Sequence, residues 1–394
     1  MNTTNYISVP ATAEKNSLTN LLLIIMSIAA GISAASLYYM QPLLAQIAAY
    51  YNINPANAGL IVTLTQIGFA LGILLLLPLA DILEKRRFIV IMSTLAGIAL
   101  LTLYISPNLY LMTVAALFIG FTSVIPQLLI PLGAQLAKPQ KRGSAIGSIM
   151  SGILIGILLS RVFSGYIAQF YNWKTIYIIA SFIMFILAVI LRFTLPRSPA
   201  LNKIKYSQSL LSIFTVIKNY PALRQASIIG AMAFFAFSIF WTTLTFQLHD
   251  YYQLNSSYAG LFGLIGVIGA ASAPFFGRIA DKKGTRFTVG SSILVIIISY
   301  LIFLLCGYTL WGLIIGLILL DIGVQCCNVS NQTRIHQLNE NARSRITAVY
   351  MITFFVGGAL GSFSGAWAYQ HYSWTGSCLL ALLTQIIALI RFIK

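Results

Sequence analysis

Apolar residues in this chain fall into long runs separated by short polar connections. By hydropathy the runs cover 18–40, 57–80, 88–106, 109–133, 144–168, 174–195, 223–248, 258–280, 287–306, 310–333, 346–369 and 374–392. A bilayer crossing needs about 20 mainly apolar residues, and the chain supplies twelve such stretches. Backbone groups find no water in lipid, so each stretch is predicted to be helical. The first is too long for a cleaved signal segment and leads straight into further spans, so it is read as retained. The fold class expected is an all-α membrane protein with twelve transmembrane helices.

The pattern also repeats. The stretch Gly277 to Phe287, GRIADKKGTRF, has a worn copy in Leu77 to Phe88, LPLADILEKRRF. Aligning them sets Asp81 on Asp281, Ala58-Gly59-Leu60 on Ala259-Gly260-Leu261 and Arg87-Phe88 on Arg286-Phe287. Arg142 then falls on Arg343, Gly156 on Gly357, Tyr171 on Tyr372 and Trp173 on Trp374, all 201 residues apart. An ordered series of this kind at corresponding points of the hydropathy pattern is the mark of one unit used twice. The organisation predicted is a tail at 1–17, a six-helix half at 18–195, a central connection at 196–222 and a second six-helix half at 223–394, the halves pseudo-symmetric. In the connection, Leu201, Ile204, Leu210, Leu211, Phe214 and Ile217 sit among Lys203, Lys205 and Lys218, a composition that suits a helix lying on the membrane surface; a plain tether between halves accounts for it equally.

Composition agrees with lipid as the solvent. Of 394 residues, 59% are hydrophobic and 8% charged, with a mean hydropathy of +0.88, which no soluble domain with a charged surface matches. The net charge of +17 raises the question of a nucleic-acid partner, and the placement of the charges answers it. Lys85, Arg86 and Arg87; Lys138, Lys141 and Arg142; Arg197, Lys203, Lys205, Lys218 and Arg224; Arg278, Lys282, Lys283 and Arg286; Arg334, Arg343 and Arg345; and Arg391 with Lys394 all fall on one side of the predicted spans. Only Lys174 carries positive charge on the other, so both termini are expected in the cytoplasm. Tyr50, Tyr51, Trp173, Tyr251, Tyr252, Trp311, Tyr372 and Trp374 gather at the opposite interface. No nucleic acid is implied; the lipid bilayer is the partner. Cys306, Cys326, Cys327 and Cys378 all lie in predicted spans, with neither a disulfide framework nor zinc spacing.

Seven acidic residues exist, and six fall in tails, loops or helix ends: Glu14, Asp81, Glu84, Asp250, Asp281 and Glu340. Asp321 does not. It lies about eleven residues into the run that begins at Leu310, which at ~1.5 Å per residue is near the bilayer centre. An ionised carboxylate there costs several kcal/mol without a partner, so it takes up a proton or faces water or a cation. It is the candidate proton site, the competing reading being a carboxyl that only stitches helices together. Arg161 is the second buried charge, about 10 Å from Asp321 in depth by the same count. Three readings compete for it: a clamp for a substrate anion, a water-linked partner of Asp321, or a side chain snorkelling to the interface. At the basic side, Asp81 and Asp281 can accept hydrogen bonds from a neighbouring helix N-terminus or pair with Arg86, Arg142, Arg286 or Arg343. Such pairs would hold a gate shut, or would merely fix loop shape.

Two related six-span halves joined by a long connection resemble the major facilitator superfamily. That family's turn signature, Gly-x-x-x-Asp-Arg/Lys-x-Gly-x-Arg/Lys, is met by Gly277, Asp281, Lys282, Gly284 and Arg286. The first copy departs from it at Leu77, Ile82 and Glu84. Tyr39-Met40-Gln41-Pro42-Leu43-Leu44 and the glycine ladder Gly152, Gly156 and Gly165 are similar to the twelve-span drug:proton antiporter branch, although Ser160-Arg161 replaces that branch's Gly-Pro and Ala116 stands where an arginine is usual. The resemblance implies a central cavity lined by spans one, four, seven and ten. It nominates Ser36, Gln41, Gln127, Trp241, Thr242, Thr245, Gln247, Gln325, Asn328 and Asn331 as lining residues, with Pro126, Pro131 and Pro274 as helix-bending positions. Each single polar residue is more often a packing hydrogen bond; the cluster after Asp321 carries the weight.

Enzyme function is not expected: no metalloprotease, nucleophile-elbow or phosphate-cradling motif occurs, and His249, His336 and His371 are scattered. Without a nucleotide site, energy has to come from an ion gradient or from the substrate's own gradient. The expectation is a monomeric secondary transporter of a bacterial-type inner membrane, without cofactor, expelling a small organic molecule in exchange for protons. A proton-coupled importer of a metabolite or metal chelate is the alternative of the same class, and a channel or non-transporting receptor that of another.

Overall fold

Among the described residues the apolar runs are largely helical, and the interruptions between them follow local chemistry. The computed structural model describes residues 18–80, 82–197, 206–266, 284–339 and 342–393. The 1–17 tail, Asp81, Pro274, Gly277, Asp281 and Lys282 therefore lie outside the described residues. Helices run in the order α1 (Asn20–Ala35), α2 (Leu44–Tyr51), α3 (Pro55–Ala80), α4 (Lys85–Ile105), α5 (Leu109–Thr122), α6 (Ile125–Leu136), α7 (Arg142–Phe170), α8 (Thr175–Thr194), α9 (Tyr206–Asn219) and α10 (Pro221–Asp250). Residues 256–266 form α11; α12 (Thr285–Cys306), α13 (Leu310–His336) and α14 (Arg343–Ile393) complete the chain. No strand occurs among the described residues.

Among them, nine helices are long and apolar enough to cross a membrane. α14, with 51 residues, would be about 77 Å long if straight, far beyond the ~30 Å hydrocarbon core. It is broken at Tyr372 and at Ser373, where φ is 53° and ψ −156°, a conformation costly for a residue with a Cβ. The run at 18–40 departs from a single straight helix. α1 stops at Ala35, turns through 36–40, passes a 3-10 turn at Gln41–Leu43 and resumes as α2. Pro42 lies in the first turn of the 3-10 segment, where its missing N–H costs no helical bond. The run at 109–133 is likewise divided, α5 ending at Thr122 and α6 starting at Ile125 with Pro126 in its first turn and Pro131 inside.

Lipid tails give apolar helices no hydrophobic reason to associate, so close backbone packing through small residues has to do so. α1 packs on α7 through the glycine ladder. A Cβ at Gly156 would collide with the carbonyl of Gly31, and one at Gly152 with that of Ser27. The same approach recurs between α10 and α14, where a Cβ at Gly357 would meet the carbonyl of Ala231. Hydrogen bonds recur too. Tyr51 Oη donates to Ser106 O at 3.1 Å, and 201 residues on Tyr252 Oη donates to Gly307 O at 3.2 Å.

Contacts between helices α1–α8 on one side and α10–α14 on the other run from the end that carries the aromatic loops to mid-helix. Thr63 Oγ1 donates to Ala359 O at 3.3 Å, and the rings of Phe69 and Phe355 meet at 4.4 Å. Thr245 Oγ1 donates to Pro42 O at 3.3 Å. A Cβ at Gly165 on α7 would collide with the carbonyl of Ser256 at the start of α11. Lys174, the one cation expected at this end, donates to Ser106 O at 2.8 Å and sits 4.8 Å from the Tyr50 ring. α9 packs on α3, α10 and α14, burying Ile213 and Val216 while Leu211 and Phe214 stay exposed.

Gly156→Ala is expected to lower stability by about 1–3 kcal/mol, the usual cost of overpacking. Gly147→Ala, whose Cβ meets nothing within 4 Å, should change it little. Thermal unfolding in detergent separates the two; equal melting temperatures would deny the close approach of α1 and α7.

Candidate functional site

The break after α1 is what builds the site. With Pro42 turning the chain, Tyr38 and Gln41 are carried beside α7, where Arg161 sits 2% exposed. Arg161 Nε donates to Gln41 Oε1 at 2.9 Å. Its guanidinium lies 3.8 Å from the centre of the Trp241 ring on α10 and 5.0 Å from that of Tyr38. Cation–π stacking of this kind is worth roughly 2 kcal/mol when desolvated, and it joins one helix group to the other. Arg161 Nη2 is buried with no hydrogen-bond partner among the described residues. Trp241 Nε1 is a second buried donor in the same condition.

Asp321, 5% exposed on α13, has an Oδ2 buried without a hydrogen-bond partner. α11 locates it relative to Arg161. A Cβ on Gly263 would stand 3.0 Å from Arg161 Cβ, and one on Gly266 would stand 3.2 Å from Asp321 Oδ2. Those glycines are three residues apart on one helix, a rise of ~4.5 Å. The Arg161 stem and the Asp321 carboxyl thus both pack against α11, about one turn apart along it. Arg161 and Asp321 form no ion pair within 4 Å; among the described residues such pairs occur only at Arg86–Glu84 and His249–Asp250.

The remaining nominated residues divide by partner. Thr242 Oγ1 donates to Ser362 Oγ at 3.1 Å and Thr245 reaches Pro42, so both join helices around the Arg161 stack. Gln247 is 2% exposed with its Nε2 unpartnered. Ser36 Oγ donates back to Ile32 O at 3.4 Å within its own helix. Gln325 and Asn328 follow Asp321 along α13, both half-buried; Asn328 Oδ1 accepts from Gln332 at 3.0 Å and from Tyr350 Oη at 3.1 Å. Asn331 Nδ2 lies 3.3 Å from Cys327 Sγ. Gln127 on α6 is half-buried and stands outside the Arg161 stack. Sequence reasoning missed Gln66, whose Nε2 donates to Ser362 Oγ at 3.2 Å and Ser238 Oγ at 3.4 Å across the two groups. It lies inside the apolar run 57–80, and the argument that picked out Asp321 would have found it.

Of the gating set, Asp81 and Asp281 lie outside the described residues. Arg86 stands 3.6 Å from Glu84 and donates to Leu195 O at 3.4 Å. Arg142 is exposed at the start of α7. Arg286 lies 5.8 Å from the Phe392 ring, and Arg343 Nη2 donates to His336 O at 3.3 Å. Among the described residues no group of three or more His, Cys, Asp or Glu side chains is placed to hold a metal ion.

Comparison with known proteins follows the same lines. The family model of the Major Facilitator Superfamily matches residues 26–362. A protein of Escherichia coli O157:H7 called uncharacterized transporter YgaY is 39% identical over 380 residues, covering 96% of each chain. A probable sugar efflux transporter of Helicobacter pylori (strain ATCC 700392 / 26695) is 23% identical over 332 residues, 82% of each. The crystal structure of the nucleoside transporter NupG superposes with a TM-score of 0.75 at 18% identity, over 97% of this chain and 98% of that one.

Replacing Gln41 by Leu leaves Arg161 Nε buried and unpaired, a loss of about 1–3 kcal/mol. The Gln41→Leu/Arg161→Leu pair should recover most of it. A thermal-melt double-mutant cycle reads the coupling, and strictly additive losses would mean the bond contributes nothing.

Proposed function

The chain belongs to the major facilitator superfamily, and from that premise we propose that it is a proton-coupled secondary transporter that expels a small organic molecule by alternating access. It is a multi-pass membrane transporter, not an enzyme. In this reading the twelve runs are twelve crossings, with α14 supplying two of them, and the halves at 18–195 and 223–394 rock about the connection at 196–222. The basic side and both termini face the cytoplasm of a bacterial-type inner membrane, and the transporter works as a monomer without a cofactor.

The observation that carries the reading is that α11 runs beside both Arg161 and Asp321, each buried and each with one polar atom left without a partner among the described residues. A lone titratable carboxyl held near a fixed cation changes the charge of the waist from neutral to +1 when it gains a proton. In a low-dielectric interior that change is felt strongly by any contact joining the halves. A proton can therefore bias the equilibrium between two arrangements, and only in proportion to its unequal affinity for them. Arg161 serves as the clamp for an anionic group on the substrate, offering Nη2 while Gln41 and Trp241 hold the guanidinium still. Ser36, Gln127, Thr242, Thr245, Gln325 and Asn328 line the path. The basic-side arginines Arg86, Arg142, Arg286 and Arg343, with Asp81 and Asp281, close it in the alternate state. Efflux as the direction is supported by the printed name of the Helicobacter pylori relative.

In right-side-out and inside-out vesicles loaded with a pH dye, Asp321→Asn should abolish proton-driven accumulation while leaving substrate exchange. Unchanged uphill transport would remove Asp321 from the mechanism, and proton movement in the same direction as substrate would make the protein an importer. Arg161→Ala should weaken compounds that carry an anionic group by about 10–100-fold, the worth of a charge-assisted hydrogen bond, and compounds without one much less.

A further inference from the structure

The waist contains one positive and one negative side chain, each with an atom left over. Arg161 Nη2 is an unpartnered donor and Asp321 Oδ2 an unpartnered acceptor, and both residues are more than nine-tenths buried. The Arg161 stem lies at Gly263 and Asp321 Oδ2 at Gly266, about one turn apart on α11, and the two side chains form no ion pair within 4 Å. Trp241 Nε1 adds a second idle donor beneath the guanidinium.

Charge arithmetic limits what can fill such a place. A simple anion on Arg161 is repelled by the ionised carboxyl nearby, and a simple cation on Asp321 is repelled by the guanidinium. An uncharged molecule can hydrogen-bond to both but brings no counter-charge to either, and hydrogen bonds between charged groups are the stronger ones. A molecule that is itself a short dipole satisfies both and adds no net charge to the interior. Resting on the transporter reading above, we propose that the substrate class is a small zwitterion of the α-amino-acid type. Its carboxylate takes Arg161 Nη2, and its ammonium donates to Asp321 Oδ2. Proton and ammonium then compete for one carboxyl oxygen, so the carboxyl holds one or the other and an exchange of substrate for proton follows.

The probes are leucine, serine and phenylalanine, each beside its N-acetyl form, which lacks the ammonium, and its amide, which lacks the carboxylate. Thermal unfolding of the purified full-length protein is followed as each is titrated. At least one parent amino acid should raise the melting temperature, with both of its blocked forms weaker by at least about tenfold, the worth of one charged contact. Arg161→Gln should erase the advantage of the parent over its amide, and Asp321→Asn its advantage over the N-acetyl form. A blocked form as effective as its parent overturns the proposal, as does silence from all three parents into the millimolar range. The wild-type comparison needs no variant to fold. Failure here with proton movement intact in vesicles strikes the substrate class alone, whereas binding without proton movement strikes the transport reading.

Discussion

A guanidinium buried deep in an apolar bundle is the constraint that the rest of the structure answers. Stripping a charge of water costs several kcal/mol even after relaxation, so Arg161 has to be met from every side. One edge is taken by Gln41, one face by Trp241, and the ring of Tyr38 stands further off. Each depends on a backbone feature. Tyr38 and Gln41 arrive because the chain breaks between α1 and α2, and α11 can pass beside Arg161 because Gly260 and Gly263 carry no side chain where its backbone and stem lie. The stack on Trp241 makes this residue a joint between the two helix groups as well as a charge.

The contacts that hold the groups together toward the aromatic end are of a kind that can be exchanged. Thr63, Gln66, Thr242 and Thr245 supply single hydrogen bonds across helices, each worth roughly 0.6 kcal/mol in a membrane bundle. Backbones touch along glycine faces both inside a group, as between α1 and α7, and across the groups, where α7 meets α11 at Gly165 and Gly260. Packing through small residues and single polar contacts leaves one group free to rock on the other. A change of one unit of charge at Asp321 acts on this balance from its centre.

Much of this could be read from residue order, and the limits are instructive. The apolar runs mark the helices because lipid leaves the backbone no alternative, and the separation of 201 that aligns the two halves reappears in the Tyr51 and Tyr252 hydrogen bonds. Arg161 and Asp321 stood out because a charge in an apolar run is conspicuous. Their common packing against α11 did not, since a residue count contains neither tilt nor neighbouring helices. The break at 36–43 was hidden for a related reason: a turn inside an apolar stretch leaves hydropathy unchanged, whereas the break at Tyr372–Ser373 falls between the runs 346–369 and 374–392. Gln66 was overlooked because an amide carries no charge to attract notice, although its burial imposes the same demand for partners.

The central claim is that one proton at Asp321 sets the balance between two arrangements of the helix groups. Spin-label distances test it most directly, after the four native cysteines are replaced. One pair, at Gly143 and Gln337, spans the basic end, and a second, at Tyr171 and Tyr258, spans the aromatic end. On acidifying proteoliposomes, the account requires one distance to lengthen as the other shortens, and both to stay fixed in Asp321→Asn. Distances that move together, or that still respond to pH in that variant, would contradict it.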